Sequence, residues 1–113
     1  MPGNSISARR TAAATLQAST VDLVYLTEGG FGVQVINDTG GASPIYFTVS
    51  APGGACTAPT VAASTGTVGV FCAAAAGIPV SVRHSGQFGS IVQLISSGTP
   101  SYTVSVVGSQ FNG

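Results

Sequence analysis

Ile91-Val92-Gln93-Leu94-Ile95, then Ser96-Ser97-Gly98-Thr99-Pro100, then Tyr102-Thr103-Val104-Ser105-Val106 is the stretch that decides the fold. The first run is apolar and β-branched, the second is turn chemistry, and the third alternates. Strand side chains point to opposite faces in turn, so Tyr102, Val104 and Val106 share one face and Thr103 and Ser105 the other. Two strands separated by Ser, Gly and Pro read as a β-hairpin or as a connection that crosses from one sheet to another.

Working outward, the same grammar recurs. Val21-Asp22-Leu23-Val24-Tyr25-Leu26-Thr27 is rich in strand-forming residues and stops at Glu28-Gly29-Gly30. Phe31-Gly32-Val33-Gln34-Val35 alternates, which places Phe31, Val33 and Val35 together on an inner face. Asn37-Asp38-Thr39-Gly40-Gly41 is a turn, and its match to a glycosylation sequon reads better as turn chemistry. Ile45-Tyr46-Phe47-Thr48-Val49 alternates again, with Ile45, Phe47 and Val49 inward. Residues 50–66 form a looser stretch, with one short strand near Thr60 to Ala62. Val68-Gly69-Val70-Phe71-Cys72 is a strand whose alternation puts Cys72 on the inner face beside Val68 and Val70. Ala73 to Ala76 is a turn of helix or part of a strand, because four residues before Gly77-Ile78-Pro79 cannot sustain a helix. Val80-Ser81-Val82 follows as a strand before a Ser85-Gly86 turn.

No segment carries a full amphipathic helix. Short strands cut by Gly, Pro and Ser predict an all-β chain, a small β-sandwich or jelly-roll-like domain or a small barrel. Residues 13–113 are expected to form that domain. Residues 1–12 lack an apolar period and carry the only clustered charge, Arg9-Arg10, so they are expected to form a flexible N-terminal arm. Arg9 and Arg10 are the candidate partner-binding residues, against the plainer reading of a solvated pair on a tail.

Charge is the most informative part of the composition. Of 113 residues only 5% are charged, against about 25% in an ordinary soluble domain. There is no lysine; the ionic residues are Arg9, Arg10 and Arg83 with Asp22, Glu28 and Asp38. Zero formal net charge removes the repulsion that keeps proteins apart, and exposed strand positions are filled by Ser, Thr and Gln where edge strands are usually guarded by Lys. These features point to a surface covered by other protein. One Arg pair is too little for a nucleic-acid footprint. The longest apolar run, Val70 to Ala76, falls well short of the roughly 20 residues of a membrane-spanning helix.

Chemistry is sparse. Acid–base work needs titratable groups placed together, and the inventory is Asp22, Glu28, Asp38 and His84. A Cys72–His84 pairing has no flanking pattern of an activated thiol, and neither a G-x-S-x-G elbow nor a phosphate-binding glycine loop occurs. One histidine and two cysteines cannot supply the four ligands of a structural zinc site. No catalytic, cofactor or metal residue is expected. Met1 to Arg10 lacks the apolar core of a secretory signal, so synthesis in a cytoplasm is expected. A Cys56–Cys72 bridge would stabilise the chain by about 3 kcal/mol in the chain-entropy model, but that compartment favours two free thiols.

The order of phrases carries a resemblance. Thr15-Leu16-Gln17-Ala18-Ser19-Thr20-Val21-Asp22-Leu23-Val24, then Val33-Gln34-Val35-Ile36-Asn37, then Pro44-Ile45-Tyr46-Phe47-Thr48-Val49, then residues 92–104, resemble small structural proteins of tailed bacteriophages, those infecting actinobacteria above all. The resemblance spans roughly residues 13 to 107 and rests on sheet-forming phrases, not catalytic signatures. It implies a virion component made in the host cytoplasm: a decoration protein on the capsid exterior, bound to the major capsid protein as a homo-oligomer such as a trimer. A tail or head-fibre module that binds host or glycan is the alternative.

Overall fold

The computed structural model describes residues 3–40, 43–50, 70–86 and 89–108, the side chains of 84–86 excepted. Cys56, the strand expected near Thr60 to Ala62, Val68 and the His84 side chain lie outside the described residues. The described residues contain nine strands: β1 (Ser5–Ala8), β2 (Thr11–Thr15), β3 (Asp22–Leu26), β4 (Gly30–Asn37), β5 (Ile45–Ser50), β6 (Phe71–Ala73), β7 (Val80–Gly86), β8 (Ser90–Ile95) and β9 (Ser101–Val107). They form two sheets, one ordered β1-β3-β8-β5-β6 and the other β2-β9-β4-β7. The chain is all-β, and its two sheets pack as a sandwich.

The deciding stretch crosses between sheets. β8 lies at the centre of the five-stranded sheet between β3 and β5, and β9 lies inside the four-stranded sheet between β2 and β4. The intervening turn is held by Gly98 N donating to Ser96 Oγ at 3.2 Å.

Alternation fills the core from both sides. Val24, Leu26, Ile45, Phe47, Val92 and Leu94 point inward from one sheet, and Val33, Val35, Tyr102 and Val104 from the other, all fully buried. Burying each such side chain stabilises the fold by about 1.5–3 kcal/mol relative to exposure. Small residues close the edges, with Ala12 on β2 and Ala73 on β6 both buried. Phe71 lies across from Phe47 in the β5–β6 register, ring centroids 5.5 Å apart.

Four expectations need correction. Residues 1–12 supply β1 and the start of β2: β1 pairs in parallel with β3 from Ser5↔Leu23 to Ala8↔Leu26, and β2 pairs antiparallel with β9. A four-residue strand of Ser, Ile, Ser and Ala shows almost no apolar period, so only its pairing reveals it. Phe31 leaves the face of Val33 and Val35 because the β4–β7 register shifts between Gly30 and Gly32; the irregularity turns Phe31 out to 55% exposure. Cys72 is exposed, since Ala73 and not Cys72 takes the inward position on β6. Ser85 and Gly86 are the last two residues of β7, so the strand runs through the expected turn.

Candidate interaction surface

Two buried polar side chains, Asp22 and Asn37, anchor hydrogen-bond networks inside the molecule. Asp22 at the start of β3 is fully buried. Its Oδ1 accepts from Asn4 N at 2.8 Å, and its Oδ2 accepts from Asn4 Nδ2 at 3.0 Å and from Tyr102 Oη at 2.7 Å. A buried carboxylate without a cation needs such donors to offset its lost hydration. The network ties the N-terminal segment to one sheet and, through Tyr102 on β9, to the other. Burial first, then the Asp22 hydrogen bond and charge, push the Tyr102 phenol far above its ordinary range, so it stays a donor.

Asn37 performs a similar task where β4 ends. Its Oδ1 accepts from Thr39 N at 3.0 Å and Gly40 N at 2.6 Å, while its Nδ2 donates to Ser43 O at 2.9 Å and Ala73 O at 3.0 Å. The amide is fully buried and committed, which explains why the sequon is turn chemistry.

Arg9 and Arg10 do not form a free pair on a tail. They occupy the bend between β1 and β2, where Glu28 binds both: Arg10 Nη1 donates to Glu28 Oε2 at 2.8 Å, and Arg9 Nη2 lies 3.5 Å from Oε1. Arg10 Nη2 also donates to Gly108 O at 2.9 Å. The Arg10 hydrogen bond, with the charges of both arginines, holds the Glu28 carboxyl below its usual range against the opposing effect of desolvation. Arg9 keeps most of its side chain in solvent at 80% exposure, and Arg10 is half-exposed. Asp38 Oδ2 accepts from Thr103 Oγ1 at 2.8 Å.

The outward positions contrast with this. On the four-stranded sheet they carry Thr11, Ala13 and Thr15 on β2, Thr103 and Ser105 on β9, and Gln34 and Ile36 on β4. On the five-stranded sheet they carry Ser5, Ser7, Leu23, Tyr25, Tyr46 and Cys72. Among the described strand positions that face outward, Arg83 on β7 is the one charged side chain.

Arg83 belongs to a groove that sequence reading missed. In register, Val107, Gly32 and Arg83 sit side by side across β9, β4 and β7. Gly32 has no side chain, and a Cβ there would run into Val82 O, so a depression is left between its neighbours. Phe31, Gly32, Ser81, Val82, Arg83 and Val107 line a groove of about 290 Å³. Gly108, at φ +74°, lets the Phe31 ring lie against the backbone where a Cβ would not fit. Glycine on both sides of an aromatic in Gly30-Phe31-Gly32 was the available signal, since glycines within a strand mark bulges and close approaches.

Among the described residues the groups that could do chemistry are not brought together. Asp22 is buried in its network, Glu28 is held by arginines, and Asp38 lies in the turn at the far end of β4. Partial burial pushes the Cys72 thiol up, opposite to the shift that activates a nucleophile. Among the described residues no three His, Cys, Asp or Glu side chains come together as a metal site, and no helix is long and apolar enough to cross a membrane.

No protein-family model matches the chain, and no curated protein matches it. Among solved structures it is similar to the pre-peptidase C-terminal domain of collagenase from Bacillus anthracis, with 12% identity and a TM-score of 0.40 over 92% of this chain and 93% of that one.

Proposed function

We propose that this protein is a non-enzymatic structural module that attaches to a larger protein assembly, and that the assembly is a bacteriophage head whose outer surface it decorates and stabilises. The observation that carries the reading is the chemistry of the outward faces. Both sheets present Ser, Thr, Tyr and aliphatic side chains, and the described outward strand positions hold one charge. A free monomer usually guards its edge strands with lysine, and this chain has none. Surfaces poor in charge lose little on desolvation and suit broad protein contact. The dispersed titratable groups support a role without catalysis, and the order of sheet-forming phrases supports the virion setting.

The test is to purify intact particles on a density gradient and quantify this chain against the major capsid protein. The proposal expects a fixed ratio set by the symmetry of the shell. A few copies per particle would move the chain to the tail or a fibre, and its absence from particles would overturn the reading.

A further inference from the structure

We infer that the groove over Gly32 is the docking site for an extended segment of a partner protein that presents an apolar side chain next to a carboxylate. The inference rests on the reading that the chain attaches to other protein, and it names the contact.

The geometry is a graded strip across one end of the four-stranded sheet. At its centre Phe31 is 55% exposed and Val107 37%, an aromatic and an aliphatic wall on either side of a residue with no side chain. An exposed Phe fixed against Gly108 is already ordered, so burying it on a partner costs little conformational entropy. On one flank stands Arg83, which has no ion-pair or hydrogen-bond partner among the described residues. On the other flank lies Arg10, joined to the strip through Gly108 and across β9 from it. Two of the three arginines, Arg83 and Arg10, therefore border this strip, and Glu28 counters Arg10.

Charge complementarity selects the occupant. A second copy of this chain is a poor match: its Asp22 is buried, its Glu28 is held by two arginines, and its exposed Asp38 is bonded to Thr103 at the far end of β4. A polyanion is also a poor match, because phosphate binding draws on more cations than a strip with Arg83 and a part-neutralised Arg10 provides. A protein segment with an apolar anchor and one acidic residue uses both halves of the site. Among the described strands β7 is the last of its sheet, so its outer edge is placed to pair with the backbone of the same segment.

The test selects binders from a random-peptide display library on the intact protein and measures a selected peptide by fluorescence polarisation. The expected binders carry Asp or Glu beside Leu, Ile, Met or Phe. Arg83→Ala and Phe31→Ser should each weaken binding about tenfold. Asp→Asn in the peptide should do the same with the protein untouched, which separates docking from any loss of fold. The groove is overturned if no peptide is enriched, if binders lack acidic residues, or if either protein variant binds unchanged. It is equally overturned if Arg83→Ala abolishes binding to phosphatidylglycerol vesicles or to an oligonucleotide while peptides are ignored, or if Phe31→Ser only dissolves a self-association. Peptides that bind elsewhere on the molecule would remove the groove and leave attachment to protein standing, whereas absence from purified particles would remove the virion setting and leave the groove.

Discussion

Asn37 makes four hydrogen bonds, as many as its amide offers, and makes them all in a buried site. Asn37→Ala leaves the carbonyls of Ser43 and Ala73 and two turn amides short of a partner, and a loss of about 3 kcal/mol in urea unfolding is expected at roughly 1–3 kcal/mol per orphaned group with partial rescue by water. Asn37→Asp should cost at least as much, because an oxygen then faces the carbonyls of Ser43 and Ala73; a neutral Asp variant would contradict this reading. Tyr102→Phe removes a donor from a buried carboxylate and should cost about 1.5–3 kcal/mol near neutral pH. Its pH dependence has a definite sign. The folded phenol binds its proton more tightly than the ordinary value of 10.0, so the stability it confers is complete below about pH 10 and falls as pH rises beyond it. Alkaline unfolding should therefore be steeper in the wild type than in Tyr102→Phe, and equal slopes would show that Tyr102 is not the group that resists ionisation. Cys72, by contrast, lies outside the core, and Cys72→Ser should change stability by no more than about 0.5 kcal/mol in the same unfolding experiment.

At the scale of elements, legibility followed the strength of the alternating pattern. β3, β5, β8 and β9 were readable because β-branched and aromatic residues recur there with period two and stop at Gly, Pro, Ser or Asn. β1 and β2 were not, because Ser5-Ile6-Ser7-Ala8 and Thr11-Ala12-Ala13-Ala14-Thr15 are built from small residues whose strand state is imposed by the neighbours they pair with. The same residues hid the candidate site: Arg9-Arg10 was visible as a charge pair, but its capture by Glu28 depends on β1 lying beside β3. Phe31 falls on the face opposite to the one its alternation predicts, because a register shift between Gly30 and Gly32 breaks the period there. A consequence for deletion follows. Removing residues 1–10 takes away β1, both donors from Asn4 to Asp22 and both arginines on Glu28. Such a truncation should lower the melting temperature sharply, where loss of a loose arm would leave it unchanged. Milder evidence of the same contacts is acid sensitivity: Glu28 titrates below its ordinary value, so its share of stability is present above about pH 4.5 and is lost as pH falls through the folded value.

The whole molecule pairs most of its few charges with its own groups and leaves its faces nearly neutral. That division is the physical basis for reading it as a part of an assembly. Three acids and two arginines are engaged within the chain, and the remaining Arg83 borders the exposed Phe31 and Val107. A shell-bound protein with this surface gains its stabilising effect by contacting more than one shell subunit, since binding favours the state it fits by mass action. The direct measurement is to add purified protein to phage heads assembled without it, following occupancy and the temperature at which the shells come apart. The account predicts saturation at a fixed ratio to the major capsid protein together with a higher disruption temperature. Heads that bind none of the protein, or that bind it to saturation and come apart at an unchanged temperature, would contradict it.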